Sequence, residues 1–389
     1  MHGPSWPLRR SASHRPVDDL MMDAAELIAR LKHNCVHFRG DRPCAPHRRS
    51  GKRCQCDEYV ATARRGIIIK LGAAGDVLRT TPLLRALAPL ESGTKVLWVT
   101  HHPNLLPHEA CEPVSVSPAT IARLQGGCFD FCWNLDKDVE ACALADLVTA
   151  GEKRGFGLRD GVPWPASESA WHKFATGVDD PLSRANTKSY PEEIFEIVGL
   201  PYERQEYWLR DPSESAVKQA AAQLAGSGWV GLNTGAGSRW KSRIWPPGHW
   251  LALCGLLRQA GLRPMLLGGP EEDVLNQRLA AESGCFYPGV HSIEVFYALM
   301  RHCEAVVSGV TQAMHLAIAA RVPLVLINNI FNPHEFELYG RGAIVGPARA
   351  CDCYYDSVCR SGRACIEEIE PAEVAAHVVA HARTRMAVQ

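Results

Sequence analysis

The stretch 66–87, GIIIKLGAAGDVLRTTPLLRAL, constrains the fold more than any other part of the chain. Three consecutive β-branched residues, Ile67, Ile68 and Ile69, suit a strand buried on both faces of a parallel sheet better than one with a wet face. A small-residue loop ending in Gly75 and Asp76 follows, then a leucine-rich helix. This is the opening of a strand-loop-helix unit, and it puts the loop at the carboxyl edge of the sheet, where open α/β sheets bind ligands. Gly72 and Gly75, with Ala73 and Ala74 between them, let a ligand approach the backbone closely. The G-x-G-x-x-G spacing of a dinucleotide site is absent, and a carboxylate here would repel a pyrophosphate. Asp76 then has two readings: a cap that accepts from the first helical amides, or an acid facing the crevice.

The alternation continues downstream. Residues 95–100 (KVLWVT) and 130–135 (DFCWNL) are expected strands, separated by helices near 117–124 and 138–148. Between 151 and 207 the prolines at 163, 165, 181, 191 and 201 interrupt the pattern, and only 191–198 is expected to be helical. Trp164, Trp171, His172 and Lys173 fall in this stretch, either packed on the sheet or exposed to a sugar or headgroup. A second alternating series follows, with strands at 230–234, 264–267, 305–308 and 323–327 and helices at 213–224, 247–259, 271–282, 292–301 and 311–320. The fold expected is α/β, with two Rossmann-like doubly wound domains facing a cleft. The expected divisions are 1–60 (a tail and Cys-rich segment), 61–207, 208–345, and 346–389 (a Cys-rich loop and terminal helix).

A length of 389 residues with 46% hydrophobic content is enough for two such cores. Lys plus Arg equals Asp plus Glu at 42 each, so no whole-chain field argues for a nucleic-acid partner. The balance is local. Residues 1–65 hold thirteen Lys or Arg against seven Asp or Glu, concentrated around Arg39, Arg42, Arg48, Arg49, Lys52 and Arg53. Such a surplus is either a solvated face or a contact for an anionic membrane or acceptor phosphate. The opening MHGPSWPLRRSASHRP lacks the apolar core of a secretory signal and is expected to be a disordered tail. No apolar run reaches the ~18 residues of a membrane span. The expectation is a cytoplasmic protein, soluble or peripheral at the inner membrane face.

Fifteen cysteines are many for a reducing compartment, where structural disulfides are rare. Cys35, Cys44, Cys54 and Cys56, with His37 and His47 interspersed, lie in a polar, basic segment with little to bury. A structural zinc ion held by four thiolates, or by three and an imidazole, would staple it; an iron–sulfur cluster is the alternative, and free thiols or disulfides a third reading. Cys351, Cys353, Cys359 and Cys365 form a second, weaker candidate set. Cys111, Cys128, Cys132, Cys142, Cys254, Cys285 and Cys303 sit in apolar contexts and are expected to be buried.

Three motifs carry a resemblance. LGAAGDVLRTTPLLRAL at 71–87, NTGAGSRWKSRIWPPGHW at 233–250 and SGVTQAMHLAIAARVP at 308–323 occur in the order of family 9 glycosyltransferases, the heptosyltransferase family. The chain resembles that family over 66–382. The resemblance implies the GT-B arrangement, with the acceptor on 61–207, a nucleotide-diphosphate sugar on 208–345 and a terminal helix near 371–382 crossing back. It implies transfer of a sugar to a glycan or lipid-linked acceptor by a single inverting displacement, with ADP-heptose and a lipopolysaccharide-core acceptor as the suggested pair.

The resemblance also implies roles for residues. Asp76 matches the family's base for the acceptor hydroxyl, and Arg243 stands where members usually carry lysine, with Lys241 two residues earlier. Either cation can offset charge on the leaving diphosphate. Glu272 matches an acid used on the donor ribose, with Glu271 as the alternative. Gly75, Thr234, Gly235, Thr311, Gln312, Ala313 and His315 complete the implied donor-side set. The third motif departs from the family at Val310, where members commonly carry aspartate. A magnesium ion would lose an oxygen ligand there, so no obligatory catalytic metal is expected, and the diphosphate is left to Arg243 or Lys241 and to the amides that open the helix at Thr311. The departures at 243 and 310 leave a second reading: a catalytically silent binding protein with metal-stapled cysteine surfaces. The segment NNIFNPHEFELYG at 328–340 has no role on sequence grounds.

Overall fold

The computed structural model describes residues 23–237, 240–349, 353–359 and 364–388. The N-terminal tail and Cys351 lie outside them. The chain divides into two units, Met1–Ala63 and Arg64–Gln389.

In the first unit the helices Ala24–Arg30 and Ala45–Ser50 are short, and a single bridge pairs Cys35 with Ala61. Of its described residues only Cys35 and Pro46 are buried, so it has almost no apolar core. Exposed ion pairs, Arg49 with Glu58 and Lys52 with Asp57, add little in water.

The second unit contains two sheets. The first has six strands, β1 (Arg64–Ile69), β2 (Thr94–Val99), β3 (Glu112–Val114), β4 (Cys128–Asn134), β5 (Thr149–Arg159) and β6 (Val162–Pro165), in the order β3-β2-β1-β4-β5-β6. All neighbours are parallel except β5 and β6. Ile68 points into one apolar cluster and Ile67 and Ile69 into another, so helices cover both faces of β1, as its β-branched run predicts. The second sheet, β7 (Trp229–Asn233), β8 (Arg263–Leu267), β9 (Ala305–Gly309), β10 (Leu324–Ile327) and β11 (Gly342–Val345), is parallel throughout in the order β11-β10-β9-β7-β8. In each sheet the chain runs outward from the first strand, then returns to that strand's other side. The reversal falls between β1 and β4 and between β7 and β9, and the loops at those carboxyl ends form the crevices.

The largest departure from expectation is at 156–165, within the stretch 151–207 where the prolines predict irregular chain. It is a hairpin. Asp160 and Gly161 both have positive φ, 54° and 79°, and form a two-residue turn between Arg159 and Val162. β3 and β11 are also strands that the sequence reading missed. Trp171 and Trp164 are exposed, whereas Lys173 is tied to the buried Glu193 at 2.6 Å. Cys128 is exposed, against expectation; the other six apolar-context cysteines are buried. The terminal helix Pro371–Val388 stacks on the helix Pro247–Gln259, with Val374, Val378 and Ala382 in the core of the second half. Among the described residues no helix is long and apolar enough to cross a membrane.

Candidate active site

A cavity of about 440 Å³ opens at the carboxyl ends of β1 and β4. Asp76 lines it. The helix after β1, Ala74–Leu78, starts from Ala73, so Asp76 is its third residue and not its cap residue. Its Oδ2 accepts from the Ala73 amide at 3.3 Å, reaching back to the cap residue, so Asp76 does not cap the helix through the first helical amides as the capping reading had it. The loop is held from β4: Asp136 accepts from the Leu71 and Gly72 amides at 3.1 and 3.3 Å and pairs with the buried Lys70 at 3.3 Å. One turn past Asp76, the Arg79 guanidinium lies 2.7 Å from its Oδ1 and 3.3 Å from the centre of the Tyr190 ring. Burial pushes the Asp76 carboxyl up, but Arg79 and then Lys70 more than offset it and hold it down at about 2.

The second cavity, about 550 Å³, opens at the carboxyl ends of β7 and β9. Gly235, Glu271, Glu272, Thr311, Gln312 and Ala313 line it. A Cβ on Gly235 would come within 2.8 Å of the Glu272 carboxyl, which accepts from the Gly269 amide at 2.9 Å. Asn233 Nδ2 donates to Thr311 Oγ1 at 3.3 Å, fixing the start of the helix Gln312–Ala319, whose first amides have no partner within the helix. Arg243 is the one Lys or Arg among the described residues lining this cavity. Its guanidinium donates to the Val310 and Ala236 carbonyls and rests 5.2 Å from the Trp240 and Phe331 ring centres. Its Nε is buried without a hydrogen-bond partner, and no carboxylate pairs with it among the described residues. Burial lowers its pKa to about 10, which leaves it charged at neutral pH.

Four expected site residues, Gly75, Thr234, Lys241 and His315, do not line this cavity. Thr234 is buried behind the wall and donates to Asn276 Oδ1 at 2.7 Å. Lys241 is exposed and does not line the cavity, so the two basic candidates are separated by position. His315 is buried where the two halves meet, with Nδ1 3.4 Å from the Tyr207 hydroxyl. A Cβ on Gly75 would fall 2.4 Å from its ring. Burial drives the imidazole down to about 3, so it is neutral.

In the first unit, Cys35, Cys44, Cys54, Cys56, His37 and His47 all line one small cavity of about 30 Å³. Among the described residues no three His, Cys, Asp or Glu side chains stand close enough together to hold a metal ion. In the second set, Cys353 and Cys365 are buried, and Cys365 Sγ accepts from Asn329 Nδ2 at 3.3 Å.

Residues 119–356 match the family model of glycosyltransferase family 9 (heptosyltransferase). The chain belongs to that family. It is 25% identical over 308 residues to lipopolysaccharide heptosyltransferase 1 of Escherichia coli (strain K12), covering 72% of this chain and 92% of that one. Among solved structures, the family 9 glycosyl transferase from Veillonella parvula superposes with a TM-score of 0.62 at 15% identity, over 84% of this chain and 98% of that one. E. coli heptosyltransferase WaaC with ADP gives 0.55 at 18% identity, over 84% and 100%. The iron-containing dodecameric glycosyltransferase TibC gives 0.50 at 14% identity, over 83% and 77%. These likenesses match the two facing α/β sheets, and the GT-B fold expected from the motifs is the fold found.

As a family 9 glycosyltransferase the chain is an enzyme, and the silent reading is not favoured. Its geometry adds residues that sequence reasoning passed over. Arg79 was legible in principle, because residues three apart share a helix face and Asp76 was already marked. Asp136 and Lys70 carry no local signal beyond their places at two strand ends. Glu335 lies 3.6 Å from Arg79, and its partner Tyr355 lines the same cavity; both come from the second half.

Proposed function

We propose that the second cavity binds the diphosphate of a nucleotide sugar and that Asp76 takes the proton of an acceptor hydroxyl in the first. The observation that carries this is Arg243, a cation on the cavity wall with no counter-carboxylate among the described residues, beside the opening turn of a helix. Diphosphate oxygens would supply the missing negative charge. Glu271 and Glu272, on the opposite loop, suit paired ribose hydroxyls. In one displacement the acceptor oxygen bonds to the anomeric carbon, the bond from that carbon to the diphosphate breaks, and the proton passes to Asp76, which inverts the anomeric centre. The residues 61–207 then serve the acceptor and 208–345 the donor.

The sugar we propose is a heptose carried on ADP, and the acceptor a lipopolysaccharide-type glycan. Support comes from E. coli heptosyltransferase WaaC, solved once with ADP and once with ADP-2-deoxy-2-fluoro heptose. Turnover of ADP-heptose within a panel of nucleotide sugars is the test; transfer from none of them would overturn the reading. Transfer should persist in excess EDTA, because Arg243 and backbone amides face the diphosphate and Val310 offers a metal no carboxylate. Activity restored only by added magnesium would reject that part.

The first unit we read as metal-stapled. Four thiols around one cavity, in a segment with two buried residues, fit a structural zinc ion whose binding would draw the ligands together. Elemental analysis should find zinc bound to the purified protein; a metal-free protein with all four thiols titratable would exclude it. We place the enzyme in the cytoplasm, with the basic residues between 39 and 53 toward an anionic membrane face.

A further inference from the structure

The segment 328–340, silent in the sequence, runs from the cation of one cavity to the carboxylate of the other. It leaves β10 and places the Phe331 ring 5.2 Å from the Arg243 guanidinium. The next residue, Asn332, is buried and donates both amide hydrogens across to the first half, to the Ser183 and Asn186 carbonyls at 2.8 and 2.7 Å. Its Oδ1 accepts from the His334 amide at 3.0 Å and caps the turn Pro333–Glu335. That turn delivers Glu335. Its side chain is only 12% exposed, the Tyr355 hydroxyl donates to Oε1, and Oε2 lies 3.6 Å from Arg79 Nη1.

Arg79 thus stands between two carboxylates from opposite halves, ion-paired with Asp76 at 2.7 Å and with Glu335 at the longer 3.6 Å. A guanidinium committed wholly to Asp76 would make it a poor proton acceptor, since an adjacent cation favours the ionised form. We propose that Glu335 is a positioning residue for proton transfer, sharing Arg79 so that Asp76 keeps enough proton affinity to act as base. The inference rests on the reading of Asp76 as base. When the acceptor hydroxyl gives its proton to Asp76, the attraction between Asp76 and Arg79 falls, and the ion pair with Glu335 keeps the buried guanidinium compensated. Arg79 stays protonated throughout.

Glu335→Gln is the test, because the amide oxygen can still accept from Tyr355 and only the charge is lost. Turnover should fall about tenfold, a fraction of the ~100-fold or more that loss of a general base costs, while donor and acceptor KM stay within about twofold. Glu335→Asp, which keeps the charge, should recover part of the loss. The deciding arm is a double-mutant cycle with Arg79→Gln, read by single turnover with enzyme in excess so that slow transfer is still counted. If Glu335 acts through Arg79, Glu335→Gln costs under twofold in that background. A full tenfold cost there, or wild-type turnover of the single variant, overturns the inference. Thermal melting and ADP affinity are measured alongside, and a variant that has lost both would be replaced by Glu335→Asp in the cycle. Unchanged turnover in Asp76→Asn would instead bring down the underlying reading of the base.

Discussion

The cavity at the ends of β7 and β9 and the cavity at the ends of β1 and β4 occupy equivalent places in similar sheets, yet their walls differ in kind. One is built from glycines, a helix start and a single guanidinium held by carbonyls. The other is built from interlocked charges: Lys70 with Asp136, Arg79 with Asp76 and Glu335, Lys173 with Glu193. The first arrangement leaves a positive charge for a ligand to meet, which suits a diphosphate. The second pairs most of its charges in advance and holds one carboxylate in a set orientation, which suits a reaction that moves a proton. On the function proposed above, binding and chemistry belong to different halves, and substitutions should separate them.

The largest separation is expected at Asp76. Asp76→Asn should lower transfer by at least ~100-fold while ADP affinity, measured by calorimetry, stays near wild type. Unchanged turnover would reduce Asp76 to its contact with the Ala73 amide and erase the contrast between the halves. Arg243→Ala should act from the other side, raising donor KM and lowering turnover by roughly 10- to 100-fold, the range of charge-assisted hydrogen bonds worth about 1.5–3 kcal/mol. Lys241→Ala, off the cavity, should stay within about twofold; the reverse order would return the role to Lys241.

The smallest effect is one of stability, at Lys137. It lines the charged cavity but pairs with no carboxylate at ion-pair distance among the described residues. Burial and then Lys173 lower its pKa from 10.5 to about 8. Because the folded protein holds this proton less tightly than the unfolded chain, charged Lys137 opposes folding; the penalty is complete below pH 8 and is relieved between about 8 and 10.5. Lys137→Met should raise the melting temperature at pH 7, with the gain shrinking across that window. A gain independent of pH would assign it to packing instead.

How far the molecule was legible follows from which interactions are local. The run Ile67, Ile68 and Ile69 announced a doubly covered strand, and the helix Pro247–Gln259 lies at the bounds expected from its opening proline and amphipathic run. The hairpin of β5 and β6 was hidden by charge and glycine: Glu152, Lys153 and Arg154 resemble a loop in composition, and the Asp160-Gly161 turn was outweighed by the prolines around it. In the site, Asp76 could be found by its motif. Glu335 could not, because it meets Arg79 only when the two sheets face each other, and no spacing in the chain encodes that encounter. The position of Arg243 on the cavity wall, rather than Lys241, likewise depends on the turn Lys241–Arg243, which sets one side chain inward and the other out.

The near-contact of Gly75 with His315 has a consequence for how such a chain can drift. A single methyl group at position 75 would sit 2.4 Å from the imidazole ring, inside any tolerable separation. Neither position can then change freely while the other is kept. A descendant lineage that enlarges residue 75 has to shrink residue 315 first or accept two halves that no longer meet beside Asp76. Among relatives the two positions should covary, with bulk at one excluded by bulk at the other, and the pairs that break this rule would identify chains whose halves rest further apart.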